Sequence, residues 1–159
     1  MQSLTGFDLE ALSSRAAASP RLRANQNFHP DLTAAVQRLA IAMEPGTYVR
    51  PHRHTATWEL LCPLRGSFDL ILFDEQGVVS ARHRLGSDGA AVFEMPAATW
   101  HSVISLDAGG VIFEVKEGPY QPMPQGDFAA WSPAEGDDGV AAMMDFLAVA
   151  GPGMQFAAP

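Results

Sequence analysis

Residues 46–66 read GTYVRPHRHTATWELLCPLRG, and the polar donors in that run decide how the rest of the chain is read. In an extended strand successive side chains point to opposite faces, so His52 and His54 project side by side on one face. Glu59 follows a short step later, and a fourth donor, His101, stands behind the turn signal of Met95, Pro96, Ala97 and Ala98. Three imidazole nitrogens and one carboxylate oxygen make a donor set for a first-row divalent metal.

Working outward, strand signals are dense on both sides of this stretch. Segments 37–44, 48–54, 58–64, 67–74, 78–85, 90–95, 101–106 and 111–116 are short, rich in apolar residues and separated by turn residues. Segments 58–64 and 67–74 are expected to form a hairpin about Arg65 and Gly66. Short strands at regular spacing, with no alternation of strand and helix, predict a sandwich or barrel. This barrel core occupies about 37–117 of a single domain spanning 1–159. Ahead of it, Phe7, Leu9, Leu12 and Ala16 predict an amphipathic helix over 7–19, opened by a Thr5 and Asp8 capping pair and stopped by Pro20. Behind it, the Pro- and Gly-rich segment 118–126 predicts an extended wrap around the barrel. Val140, Met143, Met144, Leu147 and Ala148 then predict a helix over 138–150, preceded by Asp137 and Asp138. Its methionines are expected to pack against the barrel or a second subunit.

The composition sets the boundaries of function. A hydrophobic fraction of 47% with 18% charged residues describes a globular protein, and apolar runs such as 70–73 and 111–113 are too short to cross a bilayer. The start, MQSLTGFDLEAL, carries neither a basic leader nor an apolar signal core, so a cytoplasmic address is expected. The single cysteine, Cys62, forms no internal disulfide and has the parity opposite to Glu59, as a small buried side chain would. A net charge of −8 argues against nucleic acid as the partner. Yet nine of the ten basic residues fall in the first 84 positions, which suits a small anionic ligand there.

Three polar groupings add detail. Arg21, Arg23, Asn25 and Asn27 share one parity; they form either a water-facing edge strand or a hydrogen-bonding row for an anionic or hydroxyl-rich ligand. Arg50 has the parity of His52 and His54, so its guanidinium faces inward and pairs either with a substrate anion or with a barrel carboxylate such as Glu114. Arg53, Trp58 and Trp100 have the outward parity, and His29 and His83 read as hydrogen-bonded surface groups.

On these residues the chain resembles the cupin superfamily, whose fold is a double-stranded β-helix, an all-β jelly-roll barrel. Its first motif is Gly, five residues, His-x-His, three or four residues, Glu, six residues, Gly, and residues 46–66 fit it without a gap. In the second motif Pro96 and His101 are in place. Ala98 and Ser105 stand where the family has Gly and Asn, and the leading Gly is absent at Ala90, with Gly89 beside it. A narrower resemblance, to the WbuC-type cupin metalloproteins, is carried by SPRLRAN (19–25), EPGTYVRPHRH (44–54), WEL (58–60), TWH (99–101) and GPY (118–120). It runs from about Ser19 to Pro133.

The resemblance implies metal ligands at His52, His54, Glu59 and His101, holding one divalent ion of iron, manganese, nickel, copper or zinc. It implies ligand-binding residues among Arg21, Arg23, Asn25, Asn27, Arg50 and Tyr120, the last on the resemblance alone. WbuC-type proteins are often associated with gene clusters for bacterial surface polysaccharide, and no reaction is assigned to them. Four protein ligands on an octahedral ion leave two positions for substrate or dioxygen. The chain is therefore expected to be a metal-dependent enzyme, an oxygenase or isomerase, acting on a small carbohydrate-derived or anionic molecule. The alternative is a non-catalytic module in which the metal anchors a sugar. A metal-free epimerase of the same fold would have no use for the full quartet. A homodimer is expected, with neither nucleic acid nor membrane as partner.

Overall fold

The computed structural model describes residues 1–157. Helix α1 (Gly6–Ala17) precedes strands β1 (Arg23–Asn27), β2 (Val36–Met43), β3 (Glu59–Arg65), β4 (Phe68–Phe73), β5 (Val79–Leu85), β6 (Phe93–Met95), β7 (Trp100–Ser105) and β8 (Gly110–Glu117). A 3-10 turn (Gln125–Asp127) and helix α2 (Val140–Val149) follow. Two antiparallel sheets, ordered β1-β2-β8-β3-β6 and β5-β4-β7, pack face to face as a jelly roll. No helix among the described residues is long and apolar enough to cross a membrane.

Strand alternation sorts the apolar residues into three layers. Met43, Leu61, Phe68, Leu70, Leu85, Val103 and Ile112 fill the space between the sheets. Their alternating neighbours Ala40, Ala42 and Val111 face outward and receive Leu12 and Ala16 of α1. On the other sheet Ile71, Phe73, Trp100 and Ile104 face outward under Met143 and Leu147 of α2. Each large side chain fully buried in these layers contributes about 2 kcal/mol. The helices are fastened by polar contacts as well. Thr5 and Asp8 form a reciprocal capping box on α1. At the far end of α2, Arg82 donates to the carbonyls of Leu147 and Ala150, both at 2.8 Å, while Asp69 holds its other edge. Met143 thus packs against the barrel.

Four expectations need correction. Segments 58–64 and 67–74 do not pair: β3 bonds to β8 and β6, whereas β4 bonds to β5 and β7 in the other sheet. The corner is Gly66, at φ +75° with Gly110 Cα only 3.2 Å from where a Cβ would sit. Such a corner is open to glycine alone and carries the chain from one sheet to the other. Segment 48–54 is extended but forms no ladder. Only His52 bridges, to His101 and Phe128, because Pro51 lacks a donor. Arg21 lies outside β1, since Leu22 takes a left-handed φ of +54° that breaks the run of alternating side chains. Finally, His29 is buried, its Nδ1 accepting from Arg38 N at 3.0 Å. Cys62 is half-buried with parity opposite to inward Leu61, and burial pushes its thiol up.

Candidate metal centre

Two short-range devices bring the ligand segments together. The backbone of His52 exchanges hydrogen bonds with that of His101, at 3.0 and 2.8 Å, laying segment 50–54 along β7. The turn before β7 places Ala98 at φ +66°, and its N–H donates to His54 O at 2.8 Å. Glu59, the first residue of β3, reaches in from the opposite sheet. One ligand atom from each of His52, His54, Glu59 and His101 lies within 4.8 Å of all the others.

The ring nitrogens are oriented for a cation. His52 Nδ1 donates to Arg50 O at 2.8 Å, and His101 Nδ1 donates to Thr99 O at 3.0 Å. A carbonyl only accepts, so each ring carries its proton at Nδ1 and turns Nε2 toward the centre. Glu59 Oε2 lies 3.0 Å from His54 Nε2 and 3.4 Å from His101 Nε2. It is buried, and no contact has hydrogen-bond alignment. A buried carboxylate oxygen with no aligned donor, facing the Nε2 atoms of His54 and His101, is costly unless a cation joins it. The donor set therefore fits a divalent transition metal, held by these four residues.

The protein groups already push one another in opposite directions. Burial, and then neighbouring His101, bring His52 down to about 3. Burial alone would raise Glu59, but the rings of His101 and His54 hold it well below the usual carboxylate range. His101 is raised: burial opposes its charge, and the contact with Glu59 outweighs burial.

Two cavities that share lining residues adjoin the cluster. The outer one, of about 650 Å³, is lined by Arg21, Arg23 and Arg50 together with His52 and His54. The inner one, of about 440 Å³, runs between the sheets past Glu59 and His101. Arg21 forks onto Glu135 at 2.5 and 2.6 Å, and Arg23 meets the same carboxylate at 3.4 Å. Asn25 borders the inner cavity and bonds Asn27 at 2.8 Å, while Asn27 borders neither cavity. Tyr120 is exposed and borders both.

Arg50 does not pair with Glu114. Its Nε donates to Ser132 Oγ at 3.0 Å, its Nη2 to the carbonyls of Ser132 and Ala129 at 3.0 and 3.2 Å, and it stacks over Phe128. Arg53 points away from the cluster, over Trp100 and beside Glu75. Glu114 pairs instead with Lys116 at 2.6 Å inside the barrel. Burial opposes the charge on Lys116, yet the carboxylates of Glu114 and Glu59 raise it and keep it cationic. That pair was missed. The parity that placed the histidines would have found it, because inward Ile112 shares its parity with Glu114 and Lys116.

A family model described as a domain of unknown function, DUF6016, matches residues 4–85. No curated protein matches the chain. Among solved structures, KdgF from Halomonas sp. is similar at 18% identity, covering 62% of this chain and 80% of that one with a TM-score of 0.49. The cupin domain of Schizosaccharomyces pombe Cnp3 is 12% identical, over 60% of this chain and 64% of that one, with a TM-score of 0.48. A mutant of Bacillus subtilis oxalate decarboxylase OxdC is 20% identical over 55% of this chain, with a TM-score of 0.46. Against that decarboxylase the match spans only 22% of its length.

Proposed function

The chain belongs to the DUF6016 family of domains of unknown function, and on that premise we propose that it is a metal-dependent enzyme acting on a small anionic, carbohydrate-derived molecule. The observation that carries this reading is a single cavity bordered at once by two histidines of the metal cluster and by Arg21, Arg23 and Arg50. Its volume of about 650 Å³ suits a ligand of sugar size. Arg50 meets only a hydroxyl, carbonyls and a ring face, with no carboxylate partner among the described residues. Its charge is thus available to an anion. Arg21 and Arg23 share the one carboxylate of Glu135, which leaves a positive charge in excess at the mouth.

A divalent ion in the cluster supplies Lewis-acid polarisation of a bound oxygen or, if redox-active, electrons for dioxygen chemistry. The chain's own residues do the rest. Arg50 orients the anionic group, Arg21 and Arg23 draw it to the mouth, and Tyr120 flanks the entrance. Asn25 adds a polar group at the inner cavity and is braced by Asn27. A setting in bacterial surface-polysaccharide biosynthesis belongs to the same proposal and is supported by the WbuC-type resemblance; a cytoplasmic homodimer is proposed with it.

Elemental analysis of protein expressed in metal-supplemented cells tests the first half. Stoichiometric transition metal is expected, falling by about tenfold or more in His52→Ala; wild type without metal would end the reading. For the second half, sugar acids and nucleotide sugars are incubated with the loaded protein, with and without iron(II) and dioxygen. Product from one of them is expected, whereas binding without product transfers the site to the non-catalytic alternative.

A further inference from the structure

Lys116 and Glu114 take no part in the ligand set, yet they form the wall beside it. Along β8, Ile112 faces the barrel interior while Val111 and Phe113 face α1. The same alternation turns Glu114 and Lys116 inward. Strand register sets Lys116 directly opposite the metal ligand Glu59 on β3 and opposite Gln37 on β2. From there its Nζ reaches back to Glu114 Oε1 at 2.6 Å. The lysine borders both cavities. The side chains of Lys116 and Glu114 are 20% and 11% exposed.

A purely structural role explains this pair poorly. Buried ion pairs contribute little to stability, and apolar residues of similar volume usually serve as well or better. Ile112, two residues earlier on the same face, shows what the barrel interior otherwise accepts. An ammonium has three N–H donors, and Glu114 is the only side chain among the described residues in ion-pair contact with this one. Glu114 Oε1 makes no aligned hydrogen bond with it, so its donors are available to the cavity. An ionised carboxylate only accepts, so the pair offers a cation and an acceptor side by side. That combination matches a carboxylate with a hydroxyl next to it. Charge points the same way. With a divalent ion and neutral imidazoles, the carboxylates of Glu59 and Glu114 do not cancel the ion and Lys116, and Arg21 and Arg23 line the same cavity, so the lining carries an excess of positive charge that suits an anion.

We propose that Lys116, positioned by Glu114, is the ligand-contacting cation of the inner cavity, and that the ligand is an anionic hydroxy acid of the sugar-acid type. This rests on the reading of the histidine and glutamate cluster as a loaded metal site.

The test uses the full chain loaded with zinc, which adds no redox chemistry. Calorimetric titration with gluconate is compared among wild type, Lys116→Met, Lys116→Arg and Glu114→Gln, with sorbitol as the neutral polyol. Gluconate is expected to bind wild type and sorbitol not to. Lys116→Met is expected to weaken gluconate by about tenfold or more, Lys116→Arg to restore part of the loss, and Glu114→Gln to weaken it less, all with unchanged zinc content. Because Lys116 is the only lysine in the chain, a second measurement needs no variant. Acetylation of wild type in alkaline buffer, followed at Lys116 by mass spectrometry, is expected to slow when gluconate is added. Wild-type affinity in Lys116→Met, absence of protection, or no gluconate binding by zinc-loaded wild type each overturns the proposal. Failure of the metal reading shows separately, as wild type that takes up no zinc before any gluconate is added.

Discussion

Ala98 holds a backbone conformation that glycine adopts without strain. Its φ of +66° is left-handed, which costs an L-residue about 1–2 kcal/mol. The strain persists because both sides of the turn hold it: Ala98 N donates to His54 O at 2.8 Å, and Thr99 Oγ1 donates to Pro96 O at 2.8 Å. These bonds join the segment of His54 to the turn that delivers His101, so the strained residue sits between two ligand segments. Relieving it is expected to stabilise the protein without disturbing the cluster. Ala98→Gly removes the steric penalty but gives the unfolded chain more freedom, worth about 0.4–1 kcal/mol in the other direction. The net expectation is a gain on the order of 0.5–1 kcal/mol, read as a higher urea midpoint at unchanged slope, with metal content unaltered. A lower midpoint would mean that the Ala98 methyl packs usefully and that the turn is unstrained.

The layer under α2 makes a prediction of its own about pH. Tyr48 enters that layer from the coil that leads to His52, beside Ile71, Trp100 and Met143, and its hydroxyl donates to Pro133 O at 2.8 Å. Burial pushes the phenol from 10 up to about 12. A folded value above the unfolded one means stability that is complete below about pH 10 and is lost as pH rises toward 12, on the order of 2 kcal/mol. Tyr48→Phe should cost about 1 kcal/mol at neutral pH for the lost hydrogen bond, and its alkaline limb should be flatter, so the two stability curves draw together and cross as pH nears 12. Parallel curves through that range would place the Tyr48 hydroxyl in water. The same layer shows how far sequence carries at this scale. Local signals were sufficient for β2, β5, β7 and β8, because apolar alternation and turn residues such as Gly77 mark their ends. Sheet membership was not local. Nothing in Arg65 or Gly66 says that β3 will pair with β8 rather than with β4, and no propensity rule flags the left-handed Leu22 that detaches Arg21 from β1. The ligand quartet was legible because its spacing is local on each segment. The partners of Arg50 and of Lys116 come from strand register and from residues 129–132, and these exist only once the barrel has closed.

For the molecule as a whole, the cluster of His52, His54, Glu59 and His101 is a joint between the sheets. Glu59 belongs to the sheet β1-β2-β8-β3-β6 and His101 to β5-β4-β7, while His52 and His54 lie on the segment that runs beside β7. In the interior, Phe68, Leu70, Leu85 and Ile112 hold the sheets together by apolar contact alone. At the cluster the sheets meet through a carboxylate and imidazoles, and the contacts at Glu59 Oε2 lack hydrogen-bond alignment. The unfolded chain scatters these four ligands over 50 residues of sequence, so an ion that needs all of them binds the folded state only. Such binding adds about 4 kcal/mol when free metal exceeds its Kd by a thousandfold. For a domain of this size that raises the melting midpoint by roughly 10 °C. Adding zinc or manganese to chelator-stripped protein is therefore expected to produce a rise of that order. Glu59→Gln should abolish the rise while leaving the stripped protein no less stable than stripped wild type, since it removes a buried charge that lacks an aligned hydrogen-bond donor. A rise that survives in Glu59→Gln would place the stabilising ion elsewhere on the protein. A stripped Glu59→Gln that melts far below stripped wild type would instead make the carboxylate a structural partner of His54 and His101, joining the sheets without an ion.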